Sequence, residues 1–224
     1  MNKELAQVIK AYSTLSHKEL NVLLIDKSKD NIIAILIDLL TQYFNDKNSS
    51  TLRQFLIVTM SGYEMNPEKI GYNGYRQSGI GQPKEYCEAK PKNVNTSDKK
   101  LKRLNGDGNF TDYTWARFKK DKKTNPQMIV GGFVDGKLIY IFEFPFKTKS
   151  FTDRLQYQLK NHFPHGYERG RFLRSASFSF KHYKDYRNLK TTVFVSREEL
   201  NRLKKYFSKG LLAFISEIKT DDKK

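Results

Sequence analysis

Residues 84–90 read Lys84-Glu85-Tyr86-Cys87-Glu88-Ala89-Lys90, and the alternation within this stretch decides how the chain is read. Successive side chains of an extended strand point to opposite faces. Cys87 and Ala89, small and apolar, then pack into the layer behind, while Glu88 and Lys90 stand together on the polar face. A carboxylate and an ammonium held side by side on a strand suit metal-assisted hydrolysis. The carboxylate binds a divalent cation, and the amine orients or activates the attacking water. A Glu-x-Lys triplet occurs by chance in any charged chain, so the surrounding sequence has to carry the argument.

Upstream, Lys69-Ile70-Gly71-Tyr72-Asn73-Gly74-Tyr75 reads as a strand or turn between glycines, with a hairpin through Ser78 to Gly81. This places position 73 on the strand beside the Glu-x-Lys strand, 15 residues before Glu88. In this arrangement the sequence resembles the PD-(D/E)xK nuclease superfamily and, within it, the type II restriction endonucleases. There an acidic residue on one strand precedes, by one hairpin, a Glu-x-Lys or Asp-x-Lys on the next. The motif covers residues 69–90, or 69–146 when the following hairpin is counted as the rest of the core sheet.

The resemblance implies an α/β fold with a mixed central β-sheet flanked by helices, a restriction-endonuclease-like core. It implies a Mg²⁺-dependent deoxyribonuclease that cuts double-stranded DNA at a short specific site. Such enzymes commonly act as homodimers, because a twofold protein matches a palindromic site. Glu88 would then bind the metal, Lys90 would orient the water, and position 73 would be the second metal ligand when it is Asp.

Here that position is Asn73, a neutral amide and a poor Mg²⁺ ligand beside a carboxylate. Three readings follow. Gly-Tyr-Asn-Gly-Tyr differs from a good motif by one Asp→Asn change, which makes the chain an inactivated form that still binds DNA. Alternatively the chain is a silent, non-catalytic, sequence-specific DNA-binding protein on the same scaffold. Or the acidic role sits on Glu64 or Glu68 and Asn73 is structural, Asn-Gly being a frequent turn dipeptide. Glu143, alternating with aromatic and aliphatic neighbours in Tyr140-Ile141-Phe142-Glu143-Phe144, needs a partner if buried. A lysine or arginine would satisfy it, and support of the metal site is the sharper reading.

Composition points to a polyanionic partner. The chain carries 41 Lys+Arg against 24 Asp+Glu, a net charge of +17. With 38% apolar and 13% aromatic residues it folds rather than remaining a disordered basic tail. Its longest apolar stretch, Ile32 to Leu40, is interrupted by Asp38 and is too short to span a membrane. The first residues lack an apolar secretory core. A single cysteine, Cys87, rules out an intrachain disulfide and a cysteine zinc cluster, and the four histidines are scattered. A cytoplasmic, reduced protein is expected. No Ser/His/Asp constellation and no phosphate-binding Gly-Lys-Ser/Thr loop is present.

The chain reads as one nuclease-like domain, 1–224. Residues 1–60 form a helical region, with helical spacing in Leu5, Val8, Ile9, Tyr12 and again in Ile33, Leu36, Ile37, Leu40, Phe44. A third helix is expected over 52–60. Residues 61–146 hold the catalytic sheet, in which 128–134 and 137–144 flank Asp135-Gly136, a strong hairpin signal. Residues 147–224 supply DNA-contacting and C-terminal elements, with a helix over 152–162, strands over 172–180 and 191–195, and a helix over 197–207.

Polar and basic residues suited to DNA are Lys92, Asn93, Arg103, Asn105 and Asn109 in and near the polar loop, and Arg169, Arg171, Arg174, Lys181, His182 and Lys184 further on. Arg forks reach guanine or phosphate, and Asn reads adenine. In the 172–180 strand, alternation puts Arg174 on one face with Ala176 and Phe178, and Arg171 with the serines on the other. A guarded edge strand is the plainer alternative. RNA binding, with aromatics stacking on unpaired bases, is a further reading. Membrane-surface binding ranks last, because no strongly basic amphipathic helix stands out.

Overall fold

The computed structural model describes residues 3–45, 50–68, 71–96, 98–166 and 170–218, with only the main chain described at 40–45. Four helices come first: α1 (Lys3–Thr14), α2 (His17–Ile25), α3 (Lys29–Asn45) and α4 (Thr51–Met60). Then follow β1 (Glu64–Met65), β2 (Gly74–Arg76), β3 (Glu85–Val94), β4 (Gly108–Tyr113), α5 (Trp115–Thr124), β5 (Gln127–Val134) and β6 (Lys137–Pro145). The chain continues through α6 (Lys149–His162), β7 (Leu173–Phe178), β8 (Lys190–Val193), α7 (Arg197–Leu203) and α8 (Lys209–Glu217). Among the described residues no helix is long and apolar enough to cross a membrane.

A mixed six-stranded sheet in the order β1-β2-β3-β5-β6-β8 forms the centre. Among its described pairs only β3–β5 is parallel, with Glu88 opposite Met128 and Lys90 opposite Val130. The parallel step requires a crossover, and the β4–α5 segment provides it. Asp135 (φ 48°) and Gly136 (φ 77°) both turn left-handed in the β5–β6 hairpin, as a two-residue primed turn demands.

Each face of the sheet carries its own core. On one, Leu56, Ile57 and Val58 of α4 pack on Cys87, Ala89, Ile129 and Ile141. Here α1 packs on α4 and β6, while α2 and α3 pack on α1. On the other, Met128, Val130, Phe142 and Phe144 meet α5, α6, α8 and the separate β4–β7 ribbon. Rings dominate this second core, as in the near-parallel stack of Phe144 on Tyr183 at 4.2 Å. Each such buried ring contributes about 1.5–3 kcal/mol relative to exposure.

The α/β architecture with helices on both faces of a mixed sheet agrees with the sequence reading, as do α1, α3, α4, α6 and the β5–β6 hairpin. Several elements differ. Asn73-Gly74 is not a tight turn, because Gly74 already pairs with Cys87 in the sheet. The 172–180 strand is shorter, and Arg174 is exposed instead of sharing the inner face with Ala176 and Phe178. Opposite it Asp112 has a positive φ of 51°, the Asp112–Arg174 pair drops out of a ladder whose register is otherwise kept, and Tyr113 and Leu173 turn inward beyond it.

Candidate active site and its basic surround

The site is built on the middle of β3. Cys87 (0% exposed) and Ala89 (2%) point into the α4 side, so Glu88, itself 5% exposed, points to the other face with Lys90. The Lys90 ammonium donates to Glu88 Oε1 at 2.8 Å, across two residues of the same strand. A second cation comes from α5. Thr114 caps this helix by accepting from the Arg117 main-chain N–H, and Arg117 Nη2 donates to the same Glu88 oxygen at 3.2 Å.

One turn along α5, Asp121 (3% exposed) faces Arg117, Nε to Oδ2 at 3.6 Å. Two phenols also donate to Asp121, Tyr72 Oη at 3.0 Å and Tyr113 Oη at 3.2 Å. Burial pushes the Tyr72 phenol up to about 12, so it stays a neutral donor at physiological pH. The chain of contacts Lys90–Glu88–Arg117–Asp121 is formally neutral, with two buried carboxylates and two cations that reach solvent. The Phe110 ring lies 4.3 Å from Lys90 Nζ and 5.5 Å from the Arg117 guanidinium, which favours both cations where they stand.

Glu88 Oε2 is buried and has no hydrogen-bond partner. An orphaned carboxylate oxygen costs free energy unless a cation, a proton or water meets it. It therefore fits a divalent cation held through one carboxylate and water. Asn73 adds little to that donor set. Its Oδ1 accepts from the Ala89 N–H at 2.8 Å and its Nδ2 donates to Gln54 Oε1 at 3.2 Å. Among the described residues no group of three or more His, Cys, Asp or Glu side chains is placed to hold a metal ion.

The alternative acids lie elsewhere. Glu64 is exposed on the edge strand opposite Tyr75, whose phenol bonds to it, and Glu68 is exposed. Glu143 is 4% exposed and pairs with Lys190 at 2.7 Å. In register it sits beside Ile129 and Ala89, on the sheet face away from Glu88. That corrects its reading as a support of the metal site and agrees with the plainer one, a buried carboxylate met by a lysine.

The β4–β7 ribbon reaches the site through Gly108. A Cβ there would lie 2.9 Å from Lys90 Cβ and 2.7 Å from the Phe178 ring. Gly108→Ala is therefore expected to cost about 1–3 kcal/mol and to displace Lys90. A thermal melt of the variant checks this, and an unchanged midpoint would contradict it.

The residues expected to meet DNA divide into two groups. Lys92 is tied to Asp107 at 2.6 Å with Asn105 alongside, and Asn93 Oδ1 accepts from Gly136 N–H at 3.0 Å. His182 caps a short 3₁₀ turn at Ser179, and burial lowers its imidazole pKa. Arg103 Nε donates to the Lys205 carbonyl. The residues of this first group have folding partners. Asn109, Arg171, Arg174, Lys181 and Lys184 are exposed, Asn109 touching Ser175 across the ribbon; Arg169 lies outside the described residues.

Sequence reasoning missed Arg117, Asp121, Tyr72 and Tyr113, together with exposed Lys119, Lys120, Lys122 and Lys123 on α5. The signal that would have found them was Thr114 as a helix cap followed by the Arg117/Asp121 pair at helical i,i+4 spacing.

The Asp121 network has a pH signature. Burial raises the Asp121 carboxyl against the opposing pull of Arg117 and the two phenols. A carboxyl raised in the folded state contributes stability that is present below the ordinary carboxylate range and is lost as pH rises through its folded value. Relative to Asp121→Asn, the parent chain should thus gain stability as pH falls. Urea melts of both chains from pH 7 down to pH 4 test the sign.

No protein-family model matches the sequence, and no curated protein matches it.

Proposed function

We propose that the chain is a double-stranded DNA endonuclease of the type II restriction kind, hydrolysing phosphodiester bonds with Mg²⁺, in a form impaired at Asn73. The observation that carries this reading is Glu88. Its carboxylate is buried at the base of two solvent-reaching cations, with one oxygen partnered by both and the other by none. A phosphate approaching from solvent meets the more exposed Lys90 and Arg117 before the buried Glu88 oxygen that has no partner.

The cation, when bound, supplies Lewis-acid polarisation of the phosphate and a more acidic water. Lys90 orients that water or a phosphate oxygen through its remaining N–H groups. Water adds to phosphorus, the bond to one sugar oxygen breaks, and a proton passes to the departing oxygen. Arg117 neutralises charge that develops on the phosphoryl oxygens, and Asp121 fixes its fork. The α5 lysines and exposed Arg171, Arg174, Lys181 and Lys184 supply phosphate contacts along the duplex.

One observation favours a second reading, a DNA-binding protein without catalysis. The Asn73 amide uses its acceptor on Ala89 and its donor on Gln54, so asparagine suits its place as it stands. Binding of fluorescent duplex DNA with and without Mg²⁺ separates the two. The nuclease reading expects Mg²⁺ to tighten binding in the parent chain and not in Glu88→Gln. Equal affinities throughout support the non-catalytic reading, and preferential competition by single-stranded RNA contradicts both.

A further inference from the structure

The β4–β7 ribbon pairs apart from the central sheet, and its two faces differ in chemistry. Phe110, Tyr113, Ala176 and Phe178 turn inward to the ring-rich core. The outward side chains are Asn109, Thr111, Asp112, Arg174, Ser175 and Ser177, all exposed. Most are short and carry a hydroxyl or an amide; none is a large apolar residue, and Asp112 is the one acid among them. Asn109 stands opposite Ser177 and Thr111 opposite Ser175, in antiparallel register.

Shape and surroundings limit what such a face can take. A protein partner needs an apolar centre or a free strand edge to extend. This face has no such centre, and α6 closes the β7 edge at Ser177. There Gln158 accepts from the Ser177 N–H and donates to its carbonyl, both at 2.9 Å, and Arg154 Nε donates to the same carbonyl at 3.2 Å. Double-stranded RNA has a deep, narrow major groove that side chains cannot read, and unpaired RNA bases stack on aromatic rings, which this face lacks. The major groove of B-form DNA, about 12 Å wide, admits a two-stranded ribbon and offers base edges to Asn, Ser and Thr. Exposed Arg171 and Arg174 at one end of β7, with Lys181 and Lys184 beyond the other, supply cations for the phosphates that border the groove.

We infer that the outer face of the β4–β7 ribbon enters the major groove and reads base edges there, with Asn109, Thr111 and Ser175 as specificity-determining residues. An Asn amide donates to adenine N7 and accepts from its N6 amine. Asn109 Nδ2 now makes only a long contact with Ser175 Oγ, at 3.3 Å, which a base edge can replace. Inward residues of the same strand touch the hydrolytic site: the Phe110 ring lies 4.3 Å from Lys90 Nζ, and Tyr113 donates to Asp121. One strand thus serves the groove on one face and the site on the other. The inference rests on the duplex binding of the proposed function, and holds with or without catalysis.

Selection of bound duplexes from a randomised pool tests it, with the parent chain, Asn109→Ala and Ser175→Ala side by side. Both substitutions fall on exposed side chains, so the variants should keep cooperative melts. The parent chain should enrich a short sequence containing adenine. Asn109→Ala should lose about 10-fold in discrimination at one adenine and keep its preference elsewhere, while Ser175→Ala relaxes a neighbouring position. Putting 7-deazaadenine at that adenine removes the major-groove N7 acceptor, and should weaken the parent chain but not Asn109→Ala. Lys181→Ala/Lys184→Ala should instead weaken binding to all sequences alike and lower its salt dependence.

Sequence selection that survives unchanged in folded Asn109→Ala and Ser175→Ala overturns the ribbon assignment and leaves the duplex binding standing. Tight duplex binding by the parent chain with no selection does the same. A parent chain indifferent to 7-deazaadenine overturns the placement in the major groove. A folded parent chain that binds no duplex overturns the proposed function, and the ribbon assignment with it.

Discussion

Asn73→Asp should convert a chain with little or no activity into one that cuts DNA in the presence of Mg²⁺. The gain in rate is expected to be on the order of 100-fold or more, because the change puts a carboxylate at the position that the resemblance assigns to the second metal ligand. The fold should accept it. The Ala89 N–H would donate to a carboxylate oxygen in place of the amide oxygen, a charge-assisted and stronger bond. The Asn73 Nδ2 donor is lost, but Gln54 can turn its amide end for end and donate where it now accepts. The midpoint of thermal unfolding without metal should therefore change little, while added Mg²⁺ should stabilise the Asn73→Asp variant more than the parent. A large fall in stability would show that Asn73 is required where it stands, as the non-catalytic reading holds.

Glu88→Gln and Lys90→Ala, each placed on the Asn73→Asp background, should abolish that cutting by different routes. Glu88→Gln removes the buried carboxylate that both Lys90 and Arg117 contact. It should remove the Mg²⁺ response and destabilise the fold by about 1–3 kcal/mol, since two cations lose their partner. Lys90→Ala keeps the carboxylate and Arg117. Its turnover should fall by about 10²–10⁴, with Mg²⁺ affinity retained. Single-turnover cleavage alongside a Mg²⁺ titration of the melting point separates the two effects. Equal loss of Mg²⁺ response in both variants would contradict the division of roles.

The parts of the site that lie on one strand were legible in the sequence, and the parts that come together from afar were not. Strand alternation placed Glu88 and Lys90 together and sent Cys87 and Ala89 behind, as the structure has them. The Asp135-Gly136 turn was equally local. By contrast, α5 reads WARFKKDKKT, too charged to show a clear apolar face, so Arg117 and Asp121 were passed over. Lys92 and Asn93 look like free polar residues until the fold brings Asp107 and Gly136 to them. Arg174 departs from the alternation because a left-handed Asp112 opposite it leaves the ladder while the register on either side is kept, and no apolar pattern announces it. The helix α2, lacking any buried residue, carries no stripe for a periodicity argument to find.

Incubation of mixed genomic DNA and Mg²⁺ with the Asn73→Asp chain, beside the same chain also carrying Lys90→Ala, tests the central claim most directly. Discrete fragments from the first and intact DNA from the second are predicted. Intact DNA from both, by folded protein that binds duplex, would contradict the assignment of a hydrolytic site to Glu88 and Lys90, as would equal cutting by the two.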